Sequence, residues 1–193
     1  MAGPNDANSP NQGLKFTYED FLLFPDDLRR HELIEGDHYA TPSPDIRHQR
    51  ISGNLLVAIA SWLEDHPIGE VLPVLAVILS RFDVVQPDLL YVSKERAPVL
   101  LAGEYVTGAP DLLAEIASPE TRKRDETLKR HLYARSGVCE YWVVDSEIDV
   151  IRVYRRDGDA FARPVELSRE AGDILTTPLL SGLEIPLARV FQD

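Results

Sequence analysis

Apolar residues recur along the chain with two patterns, one typical of helices and one typical of buried strands. Residues 45–65 carry apolar side chains at spacings of three and four, which predicts a helix with one face on the core. The apolar positions of this helix are Ile51, Leu55, Ala58, Ile59 and Trp62. Continuous apolar runs predict buried strands over 84–92, 111–117 and 140–145, and one or two more strands over 69–80.

Turn residues between alternating segments predict two hairpins. Residues 31–41 alternate around Glu35-Gly36-Asp37, and residues 148–155 and 160–167 alternate around Asp157-Gly158-Asp159. The order of the remaining elements is helix, strands, helix, strand, which predicts an α/β sheet layered by helices. Residues 1–13, rich in Pro, Asn and Gly, are predicted to be a disordered tail, and residues 14–193 a single domain.

Three charged residues fall on surfaces that should be apolar. Glu115 lies in the middle of a buried strand, and Asp88 interrupts another. At about 100° per residue, Lys129 shares one arc of its helix with Leu128 and Tyr133. A buried charge must be paired or must bind a metal ion. The residues therefore predict either a structural ion pair or two parts of one site, and both interpretations stay open.

The net charge of −12 argues against a general polyanion-binding protein. Residues 122–135 are nevertheless locally basic. Apart from Lys129, the charged residues of this segment are expected either to face solvent or to contact phosphate. The basic residues are Arg122, Lys123, Arg124, Lys129, Arg130 and Arg135.

The single cysteine, Cys139, cannot form an intrachain disulfide and is interpreted as a packing residue. No apolar run is long enough to span a bilayer, and a cytoplasmic location is predicted.

Two carboxylates on adjacent strands can hold a hard cation such as Mg²⁺. Such an ion polarises a phosphoryl oxygen and lowers the pKa of a bound water, while a nearby ammonium stabilises developing charge. Asp88, Glu115 and Lys129 would suffice for metal-dependent phosphodiester hydrolysis, and equally for an inert ion-pair triad. Asp111 forms a second Pro-Asp pair, but it lies four residues from Glu115 on one strand, roughly 13 Å away, so one ion cannot easily bridge both.

Several segments resemble known nucleases. Pro87-Asp88 followed by Ala114-Glu115-Ile116-Ala117 resembles the PD-(D/E)xK superfamily, whose core runs helix, three strands, helix, strand. The segments TYEDF, HELIEG, SPDIRHQRISGNLL, VVQPDLLYVS, GAPDLLAEIASPETRKRD, LKRHLYARSGVCEYWVVD and LEIPLARVF resemble, in this order, the Uma-two family of restriction endonucleases over residues 16–191.

This resemblance implies a restriction-endonuclease-like α/β core with added β-hairpins, acting on DNA as a Mg²⁺-dependent endonuclease, with Mn²⁺ as an alternative ion and a homodimer as the expected assembly. It implies catalytic roles for Asp88, Glu115 and Lys129, with the ion bound by Asp88, Glu115 and the Ile116 carbonyl. The chain departs from the superfamily pattern at Ala117, where a lysine is expected. The resemblance implies that in this branch the lysine has moved to the next helix, where Lys129 lies.

Three further residues are candidates for accessory roles in the site, and each also has an interpretation that needs no function. Glu32 could add a carboxylate or simply face solvent, and His48 could contact phosphate or be a surface histidine at a helix start. Gln86 could line the same cleft or pack at a strand edge, and Tyr133 is interpreted as a core residue. A second hypothesis, favoured by the negative net charge, is a catalytically silent interaction or regulatory module that keeps the nuclease scaffold.

Overall fold

The computed structural model describes residues 15–192. Its helices are α1 (Tyr18–Phe21), α2 (Ile46–Asp65), α3 (Ala97–Leu100), α4 (Arg122–Arg124), α5 (Arg130–Ser136) and α6 (Leu187–Val190). Its strands are β1 (Arg30–Ile34), β2 (Asp37–Thr41), β3 (Gly69–Pro73), β4 (Val77–Ser80), β5 (Asp83–Val85), β6 (Leu89–Ser93), β7 (Val106–Thr107), β8 (Leu112–Ala117), β9 (Glu140–Asp145), β10 (Val150–Asp157), β11 (Ala160–Phe161), β12 (Val165–Ser168), β13 (Ile174–Leu175) and β14 (Ile185–Pro186). A π-helical turn (Asp125–Lys129) joins α4 to α5, and residues 122–136 are called the composite helix below.

Two sheets carry most of the strands. The large sheet has seven strands in the order β11-β10-β9-β8-β6-β3, with β12 also paired to β10. The small sheet has five strands in the order β2-β1-β5-β4-β7. β6 and β8 are antiparallel, whereas β8 and β9 are parallel because the composite helix returns the chain to the same end of the sheet. The succession α2, β3, β6, β8, composite helix and β9 confirms the predicted core of helix, three strands, helix and strand.

Alternate residues of β8 face two different parts of the core. Leu112, Ala114 and Ile116 pack with α2 and the C-terminal segment, while Leu113 and Ala117 pack with the composite helix. This alternation follows from the two-residue period of a strand. Glu115 has the same parity as Leu113 and Ala117, so its carboxylate lies on the face covered by the composite helix.

The apolar run over residues 84–92 was predicted to be one strand, and this prediction is wrong. The run divides into β5 in the small sheet and β6 in the large sheet, with Gln86, Pro87 and Asp88 between them. Pro87 has no backbone N–H and cannot continue a strand ladder, so the chain crosses between sheets at this point. Asp88 therefore lies at the junction of the two sheets, and its N–H donates to the Ala114 carbonyl on β8 (3.1 Å).

The remaining elements follow the sequence pattern closely. The first hairpin turns at Glu35 and Gly36, which both have positive φ angles, and the second is formed by β10 with β11 and β12. The long helix begins after Asp45, whose side chain accepts from the His48 N–H. Among the described helices, none is both long and apolar enough to cross a membrane. The tail predicted for residues 1–13 lies outside the described residues.

Two glycines offer a matched test of packing. A Cβ on Gly69 would lie 2.5 Å from the Val92 carbonyl oxygen, whereas a Cβ on Gly53, inside α2, meets no atom within 4 Å. Gly69→Ala is therefore expected to lower the free energy of unfolding by about 1–3 kcal/mol. Gly53→Ala should raise it by about 0.5–1 kcal/mol, because alanine restricts the unfolded chain and favours the helix. Urea titrations of both variants would measure these changes, and a stabilised Gly69→Ala protein would contradict the β3–β6 packing.

Candidate active site

A cleft of about 810 Å³ lies where the small sheet, the N-terminal end of α2, β8 and the composite helix meet. Every residue singled out from the sequence as a site candidate lines this cleft. These residues are Glu32, His48, Gln86, Asp88, Glu115, Ile116 and Lys129. They come from five separate parts of the chain, and only the tertiary fold brings them together.

Lys129 forms the centre of a buried charge cluster. Its Nζ lies 2.8 Å from Glu32 Oε1, 2.9 Å from Glu115 Oε1 and 3.8 Å from Asp125 Oδ1. The Tyr133 hydroxyl also donates to Glu115 Oε1, at 2.7 Å. Tyr133 was interpreted as a core residue; it is fully buried, and it also contacts the candidate site.

Glu32 is the best-compensated acid of this cluster. Its Oε1 accepts from the Gln86 N–H at 2.9 Å, and the Arg124 guanidinium lies 3.6 Å from its Oε2. Burial opposes ionisation, but Lys129, Arg124 and the Gln86 amide outweigh it and hold the pKa of Glu32 below its ordinary value. Glu32 is 2% exposed, so the solvent-facing alternative is wrong.

Glu115 is the acid of this cluster whose ionised form is least stabilised. Burial raises the pKa of Glu115 to about 8; Lys129 opposes this shift, while Asp125, Glu32 and Asp88 add to it. Burial alone would lower the pKa of Lys129, but Glu115, Glu32 and Asp125 raise it, so the ammonium stays charged. Burial likewise raises the pKa of Asp125. One ammonium therefore serves three carboxylates, and the cluster is short of positive charge.

Asp88 is held from three directions. Its Oδ1 contacts Arg30 and lies 2.8 Å from His48 Nε2, and its Oδ2 accepts from the Ile116 N–H at 2.8 Å. Burial opposes ionisation, but His48 and Arg30 outweigh it and lower the pKa of Asp88. His48 thus contacts a buried carboxylate, whereas the more ordinary expectation for it was a surface position. The Ile116 contact seen here uses its amide, and a role for its carbonyl stays a prediction.

The oxygen-rich lining fits a hard divalent cation. Lys129 and Tyr133 both donate to Oε1 of Glu115, and Asp125 Oδ1 is buried without a hydrogen-bond partner within residues 15–192. Asp88 adds a further carboxylate from the neighbouring β6 junction, and carboxylate oxygens are the donors that Mg²⁺ prefers. Within the described residues, no three His, Cys, Asp or Glu side chains already converge on one metal position. Ion binding by Asp88 and Glu115 stays a prediction.

The buried arc predicted for this helix is right for Lys129 and wrong for Leu128, which is 43% exposed. Arg124 was expected either in solvent or facing phosphate, and it lines the cleft. Arg124 donates to Thr41 Oγ1 at 2.7 Å and lies over the Tyr39 ring. The π-helical turn widens the helix at residues 125–129, so the residues before and after it no longer follow one regular period.

Asp111, the second aspartate preceded by proline, lies away from the cleft lining. Its carboxylate accepts from the Ser93 N–H at 2.7 Å and from Arg96 Nη1 at 2.7 Å. It begins the same segment that carries Glu115 but performs a structural role near the opposite end of β8. Asp111 therefore provides a natural control for Asp88, since both are buried aspartates bound by one arginine and one backbone amide.

The element order and the sheet topology form a restriction-endonuclease-like α/β fold. A family model described as "Uma2: Putative restriction endonuclease" matches residues 18–188, and the chain belongs to this family. A solved structure titled as a putative nuclease belonging to DUF820 from Anabaena variabilis has the same fold, with a TM-score of 0.77. That similarity has 23% sequence identity and covers 91% of this chain and 97% of the other. None of the curated proteins compared with the chain matches it.

The raised pKa of Glu115 predicts a pH-dependent stability. Between the ordinary value of 4.5 and the folded value of about 8, the folded state binds more protons at Glu115 than the unfolded state does. The contribution is therefore fully present below pH 4.5 and is lost as the pH rises to about 8. The free energy of unfolding of the wild type should fall by on the order of 3 kcal/mol more than that of Glu115→Gln between about pH 5 and 9. If denaturant titrations give the same pH dependence of stability for the wild type and Glu115→Gln, the raised pKa of Glu115 is contradicted.

Proposed function

We propose that this protein is a metal-dependent endonuclease that hydrolyses DNA phosphodiester bonds by means of an activated water. The observation that carries the proposal is the convergence of Asp88, Glu115 and Lys129 in one cleft. Each of the three is buried and ionisable, and they come from three different parts of the chain: the β5–β6 junction, β8 and the composite helix. Membership of a restriction-endonuclease family and a nuclease-like fold support the same conclusion.

The roles follow from the contacts. Asp88 and Glu115 hold the cation, and Arg30 and His48 fix the orientation of the Asp88 carboxylate. When bound, Mg²⁺ or Mn²⁺ would polarise a phosphoryl oxygen and lower the pKa of a water. Lys129 keeps its charge because of the surrounding carboxylates, and it supplies the ammonium that stabilises negative charge developing on the phosphate.

Basic side chains at the cleft supply the DNA contacts. Arg124 lines the cleft next to Glu32, and Lys123 is exposed one residue before it. Arg122, by contrast, is bound to Asp145 (2.8 Å) and Glu147 (2.7 Å), so it is less available for phosphate than the sequence alone indicated. The homodimer and the cytoplasmic location stay predictions from the sequence; sedimentation would test the former.

Incubation with nucleic acids of defined form tests the proposal. Supercoiled plasmid, linear duplex, single-stranded DNA and RNA should each be tested with Mg²⁺, with Mn²⁺ and with EDTA. Nicking or linearisation of DNA that requires the cation and stops with EDTA is the expected result. If folded protein cleaves none of these nucleic acids with either cation, the proposed nuclease function is contradicted.

A catalytically silent nuclease scaffold is the second candidate, and one observation favours it. Asp88 already has Arg30, His48 and the Ile116 amide as partners, as an aspartate with a purely structural role would. Salt dependence of DNA binding separates the two functions. A nuclease should lose affinity steeply as salt rises, because phosphate contacts release counterions, whereas a protein-binding module should show no DNA affinity to lose.

A further inference from the structure

Asp125 is a buried carboxylate, and one of its two oxygens lacks a hydrogen-bond donor within residues 15–192. It is 2% exposed, it lines the cleft, and its Oδ1 has no hydrogen-bond partner within residues 15–192. Buried polar atoms are almost always hydrogen-bonded, because leaving one unpaired costs free energy. An unsatisfied acceptor at the wall of a ligand-sized cleft points to a donor that arrives with the ligand.

The neighbouring side chains do not donate a hydrogen bond to this oxygen. Lys129 Nζ is 3.8 Å away, too far for a hydrogen bond, since the ammonium is engaged by Glu32 and Glu115 at 2.8 and 2.9 Å. Burial raises the pKa of Asp125, whereas Lys129 and the Thr121 side chain oppose this shift. Asp125 and Lys129 are the first and last residues of the π-helical turn, a feature that recurs at functional sites.

The chemistry of the surroundings selects the donor. Glu32, Glu115 and Asp88 make this side of the cleft rich in carboxylate oxygen, and a phosphate oxygen, which only accepts, cannot donate the hydrogen bond that Asp125 Oδ1 lacks. A donor that also carries positive charge is favoured. Mg²⁺ keeps several of its waters when bound by one or two carboxylates, and these waters donate hydrogen bonds to the groups around them.

We propose that Asp125 Oδ1 accepts a hydrogen bond from a water of a hydrated divalent cation held at Asp88 and Glu115. Asp125 is then a positioning residue, which binds the ion through its water and does not ligate it directly. This fits the finding that no three acidic or histidine side chains of the described chain converge on one metal position. The inference rests on the proposed function, because it assumes the same cation.

Calorimetric titration without nucleic acid tests the inference. Mg²⁺ and Mn²⁺ are titrated into the wild type, Asp125→Asn and Asp125→Ala, with Asp111→Asn as the control that removes a buried carboxylate elsewhere. Both Asp125 variants should bind about 10-fold or more weakly, the range seen when groups that support a metal site through hydrogen bonds are removed. Asp111→Asn should bind as the wild type does. Thermal melts of each protein confirm folding, and Asp125→Asn, which keeps the shape, carries the test if Asp125→Ala does not fold.

Hexaamminecobalt(III) adds a readout specific to the proposed contact. Its ammonia ligands do not exchange, so it can bind only through hydrogen bonds and charge, as a fully hydrated cation does. It should compete with Mg²⁺ on the wild type and compete about 10-fold less well on Asp125→Ala. Unchanged binding of both Mg²⁺ and hexaamminecobalt(III) by Asp125→Ala would overturn the inference.

The inference and the proposed function fail in different ways. If Asp88→Asn and Glu115→Gln lose Mg²⁺ binding while both Asp125 variants keep it, the cation site stands and the role of Asp125 is overturned. If the folded wild type binds neither Mg²⁺ nor Mn²⁺, the cation of the proposed function is overturned, and the role of Asp125 falls with it.

Discussion

Mg²⁺-dependent cleavage of DNA is expected to fall by about 10³-fold or more when Asp88 is replaced by Asn or Glu115 by Gln. Each substitution keeps the shape of the side chain and removes one of the two carboxylates that we propose hold the ion. A loss of about 4 kcal/mol of transition-state stabilisation corresponds to this factor. Initial rates of plasmid nicking at saturating Mg²⁺, corrected for the folded fraction, would measure it.

Asp111→Asn is the matched control for Asp88→Asn. Both residues follow a proline, both are buried, and both are bound by an arginine and a backbone amide. The control should therefore share any loss of stability but cleave DNA at the wild-type rate. Equal loss of cleavage in both variants would mean that the rate reports folding, and wild-type cleavage by Asp88→Asn would exclude Asp88 from the cation site.

Lys129→Met is expected to lower the free energy of unfolding by about 3–5 kcal/mol. Methionine has similar length, but it leaves Glu32, Glu115 and Asp125 buried together without the ammonium that lies among them. Like charges at this depth repel strongly, and the proton uptake that would relieve them costs free energy at neutral pH. Urea titrations of the variant and the wild type at about pH 7 would give the difference.

Lys123→Met provides the control on the same helix, because Lys123 is exposed and its loss should change stability by no more than about 0.5 kcal/mol. Adding Glu115→Gln to Lys129→Met should restore part of the loss, because one of the unpaired carboxylates is removed. If Lys129→Met is as stable as Lys123→Met, the ammonium is not the charge that stabilises the cluster.

Much of the fold follows from local pattern. The spacing of Ile51, Leu55 and Ile59 indicated α2, and the unbroken apolar runs indicated β8 and β9 with bounds close to those observed. Glu115 and Lys129 were found for a physical reason, since each was a charge placed where the pattern required an apolar residue. Two opposite charges at buried positions are expected to pair, and Lys129 Nζ lies 2.9 Å from Glu115 Oε1.

The parts that sequence reasoning missed depend on tertiary geometry. The division of residues 84–92 between two sheets depends on which partner each half finds, and only Pro87 hints at it. The inward position of Arg124 and the exposure of Leu128 result from the π-helical turn, which a regular period cannot anticipate. Arg30 and Asp125 gave no signal at all, because an arginine beside a hairpin and an aspartate in a charged helix are ordinary.

The wide separation of the cleft residues along the chain has a consequence during synthesis. Glu32 and Lys129, whose charged atoms lie 2.8 Å apart, are separated by most of the nuclease-like core. A growing chain therefore carries the hairpin, the long helix and both Pro-Asp pairs before the ammonium and the Asp125 carboxylate exist. Domains generally fold as units once enough of the chain has emerged from the ribosome. The cleft is thus assembled late, and no short fragment of the protein can carry its chemistry.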